Sequence, residues 1–212
     1  MIRRRDMLGL LGAATLGGCD AIGGLLHRDR EATTDDPLTP EAAWPGYHVS
    51  AQLPLPPDGW SLVVGGKVDR MVRLSLDELR ALPATTARIR MHAARGWSAV
   101  AEWTGVTIAE LAKLVGARDV PYVEMRSFDA PDAVARAYWS SWDRASAFHP
   151  QTIVAYAMNG RPLTPKHGAP CRVVGAVKLG YKQVKYLTEI SFLDRKTGGY
   201  WESRGHEWFA GV

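Results

Sequence analysis

Between Trp60 and Leu193 the apolar residues fall in short runs, and most of them follow a strand rhythm. Trp60–Val68 reads as a strand interrupted by Gly65-Gly66. Ala87–Ala93 alternates arginine with apolar side chains and is predicted to be another strand. Tyr122–Phe128, which runs into an acidic turn at Asp129–Asp132, and Thr152–Met158 are further strands, and Glu189–Leu193 is the last. Asn159-Gly160 is the two-residue signature of a tight hairpin. Helices are announced by their caps. Ser75-Leu76-Asp77-Glu78 has capping-box spacing and opens a short helix to about Leu82. Thr107-Ile108-Ala109-Glu110 repeats that spacing ahead of a helix with Ile108, Leu111, Ala112 and Val115 on one face and Gly116 at its end. Ser141–Phe148 is a brief helical stretch. Strands outnumber helices and both are short, which predicts an α+β fold.

Turn residues and cations concentrate in Leu163–Leu187. Pro165, Gly168 and Pro170 bend the backbone, and Cys171–Val177 is apolar and β-branched enough for a buried strand. Gly180 breaks the run. Tyr181–Leu187 is predicted to resume as a strand, with Tyr181, Gln183 and Lys185 on one face and Lys182 and Val184 on the other. Lys178, Lys182 and Lys185 gather around the glycine turn, with Arg172 at the start of the preceding strand. Cations beside exposed backbone amides suit an anion, phosphate above all. A solvated basic hairpin is the plainer use of the same four charges.

His167-Gly168-Ala169-Pro170-Cys171-Arg172, followed by Gly180-Tyr181-Lys182-Gln183-Val184-Lys185, resembles the cofactor-binding segment of the molybdopterin oxidoreductases of the sulfite oxidase fold. In that family (His/Asn)-Gly-Ala-Pro-x-Arg precedes Gly-(Tyr/Phe)-Lys-x-x-Lys. The resemblance covers residues 44–212 and implies mixed sheets with short helices and a molybdopterin (molybdenum) cofactor. Matched residue by residue, it places Ser127 at a Thr/Ser position near the pterin, and His167 where relatives bond the cofactor through His or Asn. Arg172 would pair with the phosphate, for which a bidentate fork is suited. Gln183, Val184 and Lys185 match a stretch whose backbone and lysine hold pyranopterin and phosphate, with Lys182 beside them. His48 adjoins the segment that enters the pocket in relatives. There the pattern Phe-Tyr-Val-Arg-Asn-His-x-Pro supplies an Arg and a His; here Ser50 and Gln52 stand at those places. An acidic side chain near Tyr138 is likewise replaced by Trp139-Ser140.

The departure with most chemical weight is at Arg90-Met91-His92-Ala93-Ala94-Arg95-Gly96-Trp97-Ser98. Catalytic relatives read Arg-Met-x-Cys-Val-Glu-(Gly/Ala)-Trp-Ser, and the cysteine thiolate binds molybdenum. Here Ala93 stands in its place and Arg95 replaces the glutamate, while Trp97-Ser98 and Glu102–Val106 keep the family wording. A methyl group donates nothing to a metal, so metal ligation is in doubt. Three expectations stand: a cofactor held by pterin and phosphate alone, substitution by His92, or a domain that binds no molybdenum. Adjacent strand residues face opposite ways, which weighs against His92. As an enzyme the chain would carry out oxygen-atom or two-electron transfer. The alternatives are a non-catalytic pterin- or partner-binding domain of the same fold and an anion- or solute-binding lipoprotein.

Composition and the leader bear on location. Of 212 residues, 46% are hydrophobic and 23% charged, ordinary for a chain with a full core, while eight tryptophans suit a lined pocket or an interface. The formal charge is +4, of which Arg3, Arg4 and Arg5 against Asp6 account for half, so a weak charge without a basic run argues against nucleic acid. Arg4-Arg5-Asp6-Met7-Leu8 with the short apolar Leu8–Leu16 resembles a twin-arginine export signal, residues 1–18. Leu16-Gly17-Gly18-Cys19 matches a lipobox, with Cys19 acylated and Asp20 favouring the inner membrane; a chance cysteine in a glycine-rich leader is the other reading. Residues 19–43 are expected to be a tether, giving a periplasmic, lipid-anchored domain with a membrane redox protein as partner. Cys171 would then be alone, a buried and inert thiol.

Overall fold

Strand-forming runs pair into two five-stranded sheets. The computed structural model describes residues 32–33, 35–132 and 137–212, all within one unit, Glu31–Val212. The expected signal segment, Cys19 and the first part of the tether lie outside the described residues. In chain order the strands are β1 (Leu62–Gly66), β2 (Val72–Leu74), β3 (Thr85–His92), β4 (Ser98–Thr107), β5 (Tyr122–Ser127), β6 (Trp139–Asp143), β7 (Ile153–Met158), β8 (Arg161–Pro162), β9 (Arg172–Val174) and β10 (Leu187–Leu193). The helices are α1 (Leu76–Arg80), α2 (Ile108–Val115) and α3 (Arg144–Ala147). The first sheet runs β2-β1-β10-β5-β6, with β1 and β10 parallel and the other pairs antiparallel. The second runs β3-β4-β7-β8, and β9 also pairs with β7. This is the α+β architecture expected.

Local chemistry explains the ends of these elements. Ser75 and Glu78 form the full reciprocal capping box. Thr107 accepts from the Glu110 N–H at 3.1 Å, but the Glu110 carboxylate turns to Lys113, so only half of the second box forms. Gly116 ends α2 at φ 70°. Asn159 and Gly160, at φ 52° and 74°, join β7 to β8 as a tight hairpin. One apolar cluster joins α2 and the inner face of the first sheet to Cys171 and Val173; a second lies on the other sheet around Trp44, Ile89 and Trp103.

Four expectations are corrected. The strand at Cys171–Val177 is short, Arg172–Val174. Tyr181–Leu187 is not a strand: a 3-10 turn covers Gly180–Lys182, Tyr186 takes φ 56°, and extended pairing begins at Leu187. The Gln183 amide bridges the Gly175 and Lys178 carbonyls, both at 2.9 Å, and that closes the segment into a loop. Ser141–Phe148 is split, because Ser141 and Trp142 belong to β6 and Asp143 then caps α3. Finally, the described part of the segment expected to be tether, 35–43, packs on the domain through Asp36. That residue is buried and pairs with Arg90 at 3.3 Å, and the Thr39 N–H donates to the Val100 carbonyl.

Candidate functional site

A cavity of about 420 Å³ opens where the β3–β4 hairpin, the segment before β1, the end of β5, the Gly180–Lys185 turn and the C-terminal tail meet. Ala93 sits on its wall, just past β3, in a hairpin held by Ala93 N–H to Trp97 O at 2.9 Å and by Gly96 at φ 81°. Gly180 lies against that hairpin; a Cβ there would stand 3.4 Å from the His92 carbonyl oxygen. The Gly180–Lys185 turn and the strand end carrying Ala93 therefore face the same hollow.

Of the four cations in the basic segment, Arg172 and Lys185 reach the cavity. Arg172 is 4% exposed; its Nη1 donates to the His167 carbonyl at 3.2 Å, and its guanidinium lies 5.1 Å from the Trp103 ring centre. Burial lowers it to about 10. The Lys185 Nζ donates to the Lys166 carbonyl at 2.9 Å and to the Tyr186 hydroxyl at 3.1 Å. Burial first, and then the like charge of Arg172, lowers Lys185 to about 7, with Asp129 pulling the other way. Lys178 and Lys182 are spent elsewhere. Lys178 pairs with Asp143 at 2.9 Å and donates to the Phe209 carbonyl; Lys182, fully buried, pairs with Glu202 and donates to the Ser141 carbonyl.

The other sequence-matched residues separate into two groups. His48 and Gln183 line the cavity with Arg172 and Lys185. His48 is oriented through its Nδ1, which lies 2.8 Å from the Ser50 carbonyl. Ser127, His167, Lys182 and Val184 are not on the wall. The Ser127 hydroxyl accepts from the Asp129 N–H at 2.9 Å, and Val184 is in the core with its carbonyl taken by the Val173 N–H. His167 is 2% exposed behind the wall, edge-on to Trp44. Burial, and then Arg172, holds it down at about 4, so it is neutral and its 3.5 Å contact with Glu41 is not an ion pair. Cys171 lies in the core, its thiol pushed up by burial, and it does not line the cavity.

Sequence reasoning missed the aromatic and acidic parts of the wall. Trp44, Tyr47, Trp97, Tyr138, Trp201 and His206 are there, with Asp129. Tyr138 donates its hydroxyl to the Tyr181 carbonyl, and burial raises it far above the usual phenol range. The eight tryptophans were the one available signal.

The donor set fits the organic part of the cofactor. Trp44 Nε1, Trp97 Nε1, Arg172 Nε and Gln183 Oε1 are buried polar atoms of wall residues, and none has a hydrogen-bond partner among the described residues. Such groups cost free energy unless a ligand or ordered water pairs them. A phosphate suits Arg172 and Lys185, and a flat ring edged with donors and acceptors suits the rest. The metal end does not fit in the same way, because Ala93 stands at the thiolate position.

The family model of the oxidoreductase molybdopterin binding domain matches residues 48–201. YedZ1 of Azospira oryzae is 37% identical over 71% of this chain and 55% of its own length. The protein-methionine-sulfoxide reductase catalytic subunit MsrP of Xanthomonas axonopodis pv. citri is 33% identical over 67% of this chain and 47% of its own. The chain thus spans about half the length of these curated relatives. The crystal structure of sulfane dehydrogenase SoxCD from Paracoccus pantotrophus shares the fold, with a TM-score of 0.59 over 90% of this chain and 56% of that one at 16% identity. With the motif, the cavity and the two-sheet architecture in agreement, the chain belongs to the oxidoreductase molybdopterin-binding domain family.

Proposed function

We propose that the cavity holds the molybdenum cofactor, with its phosphate on Arg172 and Lys185 and its ring system among Gln183, Trp44 and Trp97, and that the domain catalyses oxygen-atom or two-electron transfer. The observation that carries this reading is the convergence of Arg172, Lys185 and Ala93 on one cavity with unpaired buried polar atoms. When bound, the cofactor supplies the redox chemistry. The chain's own residues bind and orient it, and the aromatic rim excludes water. Ala93 favours a second reading, a pterin- or partner-binding domain of the same fold without catalysis. Residues 1–18 as an export signal, Cys19 as a lipid anchor at the periplasmic face of the inner membrane and a membrane redox protein as partner complete the proposal.

Metal and pterin analysis of full-length protein from a molybdopterin-competent host tests it. Molybdenum and pterin at about one each per chain support the enzyme, since the cofactor carries the chemistry. Pterin without metal, or neither, overturns the enzyme and supports the second reading, pterin binding in the first case and partner binding in the other. Ala93→Cys supplies the missing soft ligand and is expected to raise metal retention. Methionine sulfoxide, named in the Xanthomonas relative, is the first substrate to assay.

A further inference from the structure

Asp129 stands just past β5, is 4% exposed, and is the one carboxylate among the described residues on a wall that also carries Arg95, Arg172 and Lys185. Its oxygens reach across to the segment before β1. Oδ2 accepts from the Val49 N–H at 2.8 Å and Oδ1 from the Ser50 N–H at 2.9 Å. The Asp129 backbone is itself fixed, its N–H donating to Ser127 Oγ and its carbonyl accepting from the Tyr138 N–H. Among the described residues, Pro45–Gln52 forms no backbone–backbone hydrogen bond; its backbone N–H groups at Val49 and Ser50 are tied by the one Asp129 carboxylate, while the Tyr47 ring stacks on Trp97. The tie passes on: the Ser50 carbonyl accepts from His48 Nδ1 at 2.8 Å, which fixes the orientation of that imidazole.

We propose that Asp129 is the positioning residue of this cavity, clamping Val49 and Ser50 and, through Ser50, setting the imidazole of His48. This rests on the cavity being the cofactor's. A carboxylate offers two charged acceptors to two N–H groups, whereas an amide offers one acceptor and turns a donor toward the second N–H. The same carboxylate opposes the loss of the Lys185 proton that burial and Arg172 promote, and it raises the phenols of Tyr138 and Tyr186.

Full-length wild type, Asp129→Asn and Asp129→Glu, prepared in a molybdopterin-competent host, test the clamp by amide hydrogen exchange, pterin content and the pH dependence of inorganic phosphate binding. In the wild type, exchange at Val49 and Ser50 is expected to be slower than at Ala51 and Gln52. Asp129→Asn should speed it by about tenfold or more, as loss of a charge-assisted bond implies, without changing β4 and β7. It should also lower pterin retention several-fold and move the loss of phosphate binding to lower pH, with Asp129→Glu restoring much of both. Uniform acceleration across all amides, or unchanged exchange at Val49 and Ser50, overturns the proposal, as does pterin retention equal to wild type. Wild type without pterin sinks the cofactor reading instead and leaves the exchange arm to judge the clamp.

Discussion

At the scale of single residues, Lys185 is the group whose charge depends on what sits beside it. Its folded value of about 7 lies below the ordinary 10.5 because burial and Arg172 disfavour the ammonium. Below about pH 7 that charge therefore weighs against the fold, and the penalty fades as pH rises toward 10.5, where the unfolded chain also loses the proton. A bound phosphate reverses the preference and raises the value in the complex. For the phosphate dianion, the Lys185 contribution to affinity is then level below about pH 7 and falls by up to about tenfold per pH unit above it, until the value in the complex is passed. Calorimetry with inorganic phosphate in two buffers of different ionisation enthalpy should show proton uptake near pH 8. Lys185→Met should abolish that uptake and flatten the profile. Uptake that persists in the variant would assign the proton to another group.

Among the elements, the closest approach that supports the site is between β4 and β7. The register shifts at Thr104/Gly105, and a Cβ on Gly105 would stand 2.0 Å from the Val154 carbonyl oxygen and 2.6 Å from Ala155 Cα. Backbone cannot give way as a flexible side chain does, so Gly105→Ala should cost about 3 kcal/mol or more in urea unfolding. It should also disturb Arg172, because Ala155 pairs with Arg172 in β9 and Trp103 of β4 lies under the guanidinium. A loss below about 1 kcal/mol would show that the two strands part easily.

The same elements show what was legible beforehand. β3, β5, β7, the Asn159-Gly160 hairpin and the Ser75 cap each carry their signal within a few residues. β4 does not, because Ala99, Val100 and Ala101 are all buried and leave no alternation to read. β6 hides its nature because its serines are buried under the tail, Ser140 donating to Glu202 and Ser141 to the Gly198 carbonyl. At Tyr181–Lys185 the alternation pointed to the right sides but the wrong backbone. Tyr181, Gln183 and Lys185 line the cavity while Val184 enters the core, yet the segment is a loop. Arg172, Lys185 and Ala93 were readable through their motifs. Asp129 was not, since its partners Val49 and Ser50 are far away in sequence.

Over the whole molecule, both ends of the described chain complete the cavity wall, the early segment through Trp44 and the tail through Trp201 and His206. The tail is held by charge buried in the protein. Lys182 is fully buried, and Glu202, its side chain 6% exposed, is both its counter-ion and the acceptor for Ser140. Burial lowers Lys182 ahead of the opposing pull of Glu202, so the ammonium depends on that carboxylate. Glu202→Gln leaves the buried cation with only neutral acceptors, the Ser141 carbonyl and an amide oxygen, and the Trp208 ring at 5.3 Å, and should cost about 3 kcal/mol in urea unfolding. Because Glu202 adjoins Trp201, the loss should appear first at the rim, as faster tryptic cleavage after Arg204 and faster ligand release. Replacing both partners, as Lys182→Met with Glu202→Leu, removes the stranded charge along with the pair and should recover most of the stability. If the double variant were as unstable as Glu202→Gln, packing rather than the ion pair would be closing the tail, and the rim should then follow side-chain volume at Trp201 instead of charge at Glu202.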